Sequence, residues 1–247
     1  MNKYTKTLLQ GRARHTILKG MKYTDAHCHI FTAPANDEIV GQICNATTVA
    51  DWEKLTQIAD GRTRVCIGIH PWHIDSAPAD WADRMRKILS SNPQIMVGEI
   101  GIDKYHPNID KQIEIFTRQI EIAIEFGRPV HLHCVGAWNK VLHILKSHHP
   151  RIPIVAHAFG GNAAIMTTLA EYNTYFSYGA RGDHVADTAK IAPVDKILVE
   201  SDSDTPTAQT EILATATREI AKLRGCDVRE LNEQINKNFT GVINYAG

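Results

Sequence analysis

Neither sign of charge dominates this chain: lysine plus arginine total 27 and aspartate plus glutamate total 27 in 247 residues. With no global field to gather polyanions, a nucleic-acid partner would have to be held by local basic groups or bound cations. The five cysteines are an odd number without CxxC spacing. That argues against a disulfide framework and for reduced thiols in a cytosol. No Gly/Ser-rich or Pro-rich linker and no low-complexity tract divides the chain, so one domain over 21–247 is expected, preceded by an extension over 1–20. The extension, MNKYTKTLLQGRARHTILKG, carries Lys3, Lys6, Arg12, Arg14 and Lys19 around two leucines. Its apolar core is too short for a secretion signal and the segment is too polar to span a membrane. A poorly ordered or separately docked arm is expected there, a basic arm on nucleic acid is the alternative, and Met21 is a second possible start.

What the chain does have is a recurring unit, a short apolar β-branched run followed by an amphipathic stretch. The runs cover 23–26, 39–46, 64–69, 95–100, 130–133, 152–158, 174–179 and 196–200. Between most of them the apolar residues fall at helical spacing. The clearest case is 110–126, where Ile113, Phe116, Ile120, Ala123 and Ile124 make one face. Two further helical patterns end at Pro93 and Gly225. Near-continuous apolar runs are the mark of strands buried on both faces. Eight such alternations predict a slightly distorted (β/α)8 barrel. An open doubly wound sheet is the runner-up, and the missing Gly-rich nucleotide loop after the first strand counts against it.

In such a barrel the chemistry sits at the C-terminal ends of the strands. There the sequence offers His27 and His29 in DAHCHI, His70 in GIHPWH, Glu99 in VGEIGID, His133 in PVHLHC, His157 in VAHAFGG and Asp202 in ILVESDSD. A strand puts an i, i+2 pair such as His27 and His29 on one side, whereas a helix would separate them. Singly, each histidine at a strand end is an ordinary hydrogen-bonded side chain. Glu99 interrupts an apolar strand, where a carboxylate is costly unless paired or coordinating. Jointly, His27, His29, Glu99, His133, His157 and Asp202 predict a metal site. Six nitrogen and oxygen ligands exceed what one tetrahedral ion takes and suit two ions roughly 3.5–4 Å apart, with a carboxylate such as Glu99 between them. The donor set suits zinc, manganese, iron, cobalt or nickel, with magnesium a further option. By strand alternation Cys28 and Cys134 point away from the ligands, as inert buried thiols. His131 is expected one layer lower, in the core, and His73, His106, His148 and His149 in loops or at the surface.

DAHCHI, GIHPW, VGEIGID, PVHLHC, AHAFGG and ILVESD, with the tail GCDVRELNEQINKNFTGVIN, together resemble the TatD family of metal-dependent hydrolases and deoxyribonucleases. The likeness runs from residue 22 to about 245. It implies one ion on His27, His29, Glu99 and Asp202 and a second on Glu99, His133 and His157. The expected chemistry is hydrolysis of a phosphodiester at DNA ends by a metal-acidified water, with Asp202 accepting its proton. Lys104, Arg181 and His70 are candidate substrate contacts. The chain departs from the family pattern in three places. Val135 stands where an arginine is common, Ser203 follows Asp202 where the family commonly has ETDAP, and the N-terminal arm is extra. The first two bear on the substrate mouth, with Arg181 a possible replacement for the arginine. Two alternatives are an ester or amide substrate, including aminoacyl-tRNA, and a non-catalytic metal-binding barrel.

Overall fold

The computed structural model describes residues 20–34, 36–180 and 186–245. Eight parallel strands form one sheet in sequential order. They are β1 (Tyr23–Cys28), β2 (Ile39–Asn45), β3 (Thr63–Ile67), β4 (Met96–Asp103), β5 (Val130–Val135), β6 (Ile154–Ala156), β7 (Thr174–Tyr178) and β8 (Ile197–Val199). The helices are α1 (Val49–Ile58), α2 (Trp81–Ser91), α3 (Ile109–Glu125), α4 (Trp138–His148), α5 (Ala163–Leu169), α6 (Gln209–Arg224) and α7 (Val228–Ile243). The sequence-predicted helix over 110–126 lies within a residue of α3, and α6 ends where Gly225 takes a left-handed φ of 64°.

The regular alternation has two exceptions. β1 runs to β2 without a helix, and β7 reaches β8 through 3-10 turns at Asp187–Lys190 and Val194–Lys196. The two helices after β8 make up the cover at that side. Asn232 Nδ2 of α7 donates to Lys22 O just before β1, and Asn238 Nδ2 donates to Ile197 O at the start of β8. Alternate side chains from the strands, Ala26, Ile43, Cys66, Met96, Val155, Tyr175 and Leu198, fill the barrel interior against Phe239 and Val242 of α7. The bottom is thus closed by side chains, leaving the opposite end for chemistry. A larger apolar layer lies between strands and helices.

At the top, β4 and β5 approach unusually closely. A Cβ on Gly101 would run into the His133 carbonyl, and one on Gly98 would lie 2.6 Å from His131 Cβ. Glycine on either side of Glu99 lets this carboxylate be pressed against the histidine strand. Gly101→Ala should cost about 3 kcal/mol or more, because the obstructing atom is backbone and cannot rotate away. For a chain of this size that is a fall in Tm of roughly 6–12 °C, read by thermal unfolding.

The β8/β1 seam is joined at its upper end by discrete bonds. Asp202 N donates to His27 O (3.0 Å) and His29 N to Ser203 O (2.8 Å). Ser201 N donates to Asp25 Oδ1 (2.9 Å). Residues 1–19, and with them nearly all of the expected extension, lie outside the described residues, as does Arg181. No helix among the described residues is long and apolar enough to cross a membrane.

Candidate metal centre

Glu99 is the hub. It is almost fully buried, and its two oxygens face different histidines. Oε2 lies 3.3 Å from His27 Nε2 and 3.5 Å from His29 Nε2. Oε1 lies 2.8 Å from His133 Nδ1, 3.5 Å from His70 Nε2 and 3.8 Å from His157 Nε2. On the first side, His27 Nε2 and His29 Nε2 are 3.4 Å apart, and His29 Nε2 is 3.5 Å from Asp202 Oδ1. An ion bound tetrahedrally at roughly 2.0–2.2 Å sets its donor atoms about 3.4 Å apart. The spacings around Oε2 match that edge, so the residues fit a divalent cation without rearrangement.

The strand ends supply these groups with small departures from expectation. His27 is on β1, and His29 follows it just past the strand. His133 is on β5, and His157 directly follows β6. Asp202 stands three residues beyond β8, where a φ of 49° turns the chain inward. Its side chain is 52% exposed, so it lines an open cup that water can enter.

Second contacts orient the rings. His29 Nδ1–H donates to Asn45 O (3.0 Å), leaving the Nε2 lone pair to face the site. His157 Nδ1 lies 2.9 Å from Glu200 Oε1, which leaves its Nε2 facing the site likewise. His70 is different: its Nδ1 accepts the Trp72 backbone N–H (3.2 Å). Burial holds the His70 pKa below its ordinary value, against the pull of Glu99. The neutral ring therefore carries its proton on Nε2, which faces His133 Nδ1 (3.2 Å) and Glu99 Oε1 (3.5 Å) at the edge of the cup.

Burial and neighbouring charge pull against each other at these groups. Burial opposes ionisation of Glu99, yet His27, His70 and His133 hold it well below the carboxylate range. Burial also opposes a charged His157, yet Glu200, Asp202 and Glu99 outweigh it and raise the ring to about 10. For Asp202, burial is overcome by His157 and by the bond from His29, which bring it to about 2.

Three supporting groups escaped the sequence reading. Asp25 is buried and accepts from Ser201 Oγ (2.5 Å), Ser201 N, Gln209 Nε2 (2.8 Å) and His27 N (3.2 Å). Glu200 holds His157 and also accepts from Ala158 N (2.8 Å). Asn45 O orients His29 from β2. Asp25 lies within the first strand run and Glu200 ends the last, so the cost of burying a carboxylate there was the available signal. A backbone carbonyl such as Asn45 O leaves no trace in the sequence.

The remaining expectations divide. Cys28 turns away from the ligands, its Sγ 3.6 Å from Cys44 Sγ. His131 is buried beneath them, its ring 5.9 Å from that of His27. Lys104 is exposed beside the cup, its stem against Gly136 and its Nζ 4.8 Å from the Tyr105 ring. Val135 ends β5 partly exposed, and its carbonyl accepts the Lys104 N–H (3.0 Å).

A family model described as TatD related DNase matches residues 24–244. A 3′–5′ ssDNA/RNA exonuclease TatD of Erwinia amylovora is 28% identical over 81% of this chain and 86% of its own length. An uncharacterised metal-dependent hydrolase, YcfH, of Escherichia coli K12 is 26% identical over 91% of this chain and 92% of its own. Among solved structures, the TatD homologue YjjV of Escherichia coli superposes with a TM-score of 0.79 at 20% identity, covering 91% of this chain and 98% of that one. The matched segment contains all of the barrel from β1 to α7 except Tyr23, and every residue of the histidine–carboxylate cluster, so the chain belongs to the TatD-related DNase family of divalent-metal-dependent hydrolases.

Proposed function

We propose that this chain removes nucleotides from the 3′ ends of single-stranded DNA, using two divalent ions. His27, His29, Glu99 and Asp202 would hold one, and Glu99, His133 and His157 the other. The observation that carries the reading is the division of the two Glu99 oxygens between two sets of imidazoles. The bound ions supply acidification of a water and withdrawal of charge from a phosphoryl oxygen.

The protein's own groups do the rest. Asp202 is ionised at neutral pH and open to water, so it accepts the proton of the attacking water and returns it to the leaving oxygen. His70, neutral with its proton on Nε2, donates to a non-bridging phosphoryl oxygen and offsets charge that grows in the transition state. Lys104 stands at the rim as a contact for the next phosphate, and Arg181 is a second such contact by sequence position. Glu200 holds His157 Nδ1, so Nε2 faces the cluster and would take the ion on giving up its proton. Glu200→Gln should lower affinity for the second ion about 10- to 100-fold with the fold intact, measured by competition with a chelating dye.

The decisive assay offers metal-loaded protein single strands labelled at either end, duplex DNA, RNA and aminoacyl-tRNA. Stepwise shortening from the 3′ end is expected. The exposed Val135 at the mouth favours one alternative, a less charged ester such as aminoacyl-tRNA. Turnover of that ester with every unacylated strand left intact would replace the nuclease reading. We also place the protein in the cytosol, where its five free thiols would stay reduced, and take 21–247 as a single hydrolase unit.

A further inference from the structure

Two aromatic side chains stand beside the ligand cluster without belonging to it. Trp72 lies in the 3-10 turn after β3 (Pro71–Ser76), and His106 lies in the loop after β4. Their rings stack with centroids 4.5 Å apart and planes 20° from parallel. The indole is 54% exposed and no part of the apolar core, yet it is fixed in place. Its Nε1 donates to Asp103 Oδ2 (2.8 Å), and Oδ1 of the same buried carboxylate accepts from Tyr105 N (2.9 Å). Two ring contacts lead from this indole to the cluster: 5.0 Å from Trp72 to His70, then 4.4 Å from His70 to His133. Tyr105, 75% exposed, and Lys104 extend the same rim.

A large apolar ring left in water while its polar edge is anchored is organised to receive a flat partner. We infer that the Trp72–His106 pair is a stacking platform for an unpaired nucleobase next to the phosphodiester being cut. This rests on the nuclease reading above and sharpens it, because it says how a strand end is chosen. Every nucleobase has a π-face, so the platform grips without reading sequence. Bases inside a duplex are already stacked on their neighbours and cannot be offered to it. Lys104 supplies the adjacent cation for the backbone. Trp72 also links grip to chemistry, since its side chain makes the platform while its backbone N–H fixes the His70 tautomer.

The test compares two single-stranded DNAs with hydrolysis-resistant phosphorothioate links. One is natural, and the other carries base-free tetrahydrofuran sugars at its two 3′-terminal residues. Binding to metal-loaded protein is read by the fluorescence anisotropy of a dye on the 5′ end of each strand. The natural strand should bind about 5- to 150-fold more tightly. Trp72→Ala should collapse that ratio toward one, His106→Ala should reduce it, and Trp72→Phe should restore most of it. Equal affinity for the two strands in the wild type, or a ratio untouched by Trp72→Ala, overturns the platform. Cleavage of ordinary DNA together with such indifference to bases would overturn the platform and leave the nuclease reading standing. A base-dependent ratio in a protein that cleaves no strand would support the platform and overturn the nuclease reading.

Discussion

Replacing Glu99 by alanine removes metal and hydrolysis together. One oxygen of the carboxylate lies beside His27 and His29 and the other beside His133 and His157, so neither set keeps its shared oxygen donor once it is gone. Metal content after dialysis should fall from about two ions per chain to below one. The kcat should drop by at least about 10³-fold. Deletion also strips the imidazoles of their countercharge, so Glu99→Gln is the companion variant that keeps volume and hydrogen bonding. Wild-type protein at 1,000 times the dissociation constant for metal gains about 4 kcal/mol of stability, visible as a rise in Tm. The Gln variant should show little of that rise. A Glu99→Ala protein that kept its full metal complement would refute the shared-carboxylate arrangement.

Asp202→Asn has the second large effect, and it separates two roles of one residue. Asp202 Oδ1 lies 3.5 Å from His29 Nε2, which puts it in the proposed first ligand set, and it is also an exposed carboxylate in the cup. Asparagine keeps the shape and an oxygen donor but cannot accept the water's proton. The kcat should fall about 10²- to 10⁴-fold with circular dichroism unchanged. Raising the metal concentration tells the roles apart. A ligand defect recovers with excess metal, whereas a missing base does not. Full recovery would leave Asp202 as a ligand alone and assign the proton to another acceptor.

The strand assignments and the residues that meet at the barrel mouth could be read from the sequence because both obey short-range rules. Apolar β-branched runs announced β1, β4 and β5, and residues at their C-terminal ends followed the barrel rule. Asp202 needed more than a rule, since its position depends on a left-handed turn beyond β8. His70 shows the limit most clearly. Its place in GIHPWH put it at the mouth, but its role depends on which nitrogen holds the proton. That was decided by a backbone N–H two residues later. The helix-free β1–β2 passage and the 3-10 route into β8 were hidden for a similar reason. Whether a stretch between strands coils or bridges depends on what α6 and α7 already cover.

The seam between β8 and β1 has a consequence in time. The bonds that join the first and last strands run through His27, His29, Ser201, Asp202 and Ser203, the same segments that carry the chemistry. A growing chain therefore exposes its first two histidines early and completes their set only when the eighth strand arrives. Until then it is a partial chelator without its closing carboxylate. Under the proposed ligand sets, the one that includes Asp202 is completed only with the barrel, whereas Glu99, His133 and His157 all precede β8 in the chain.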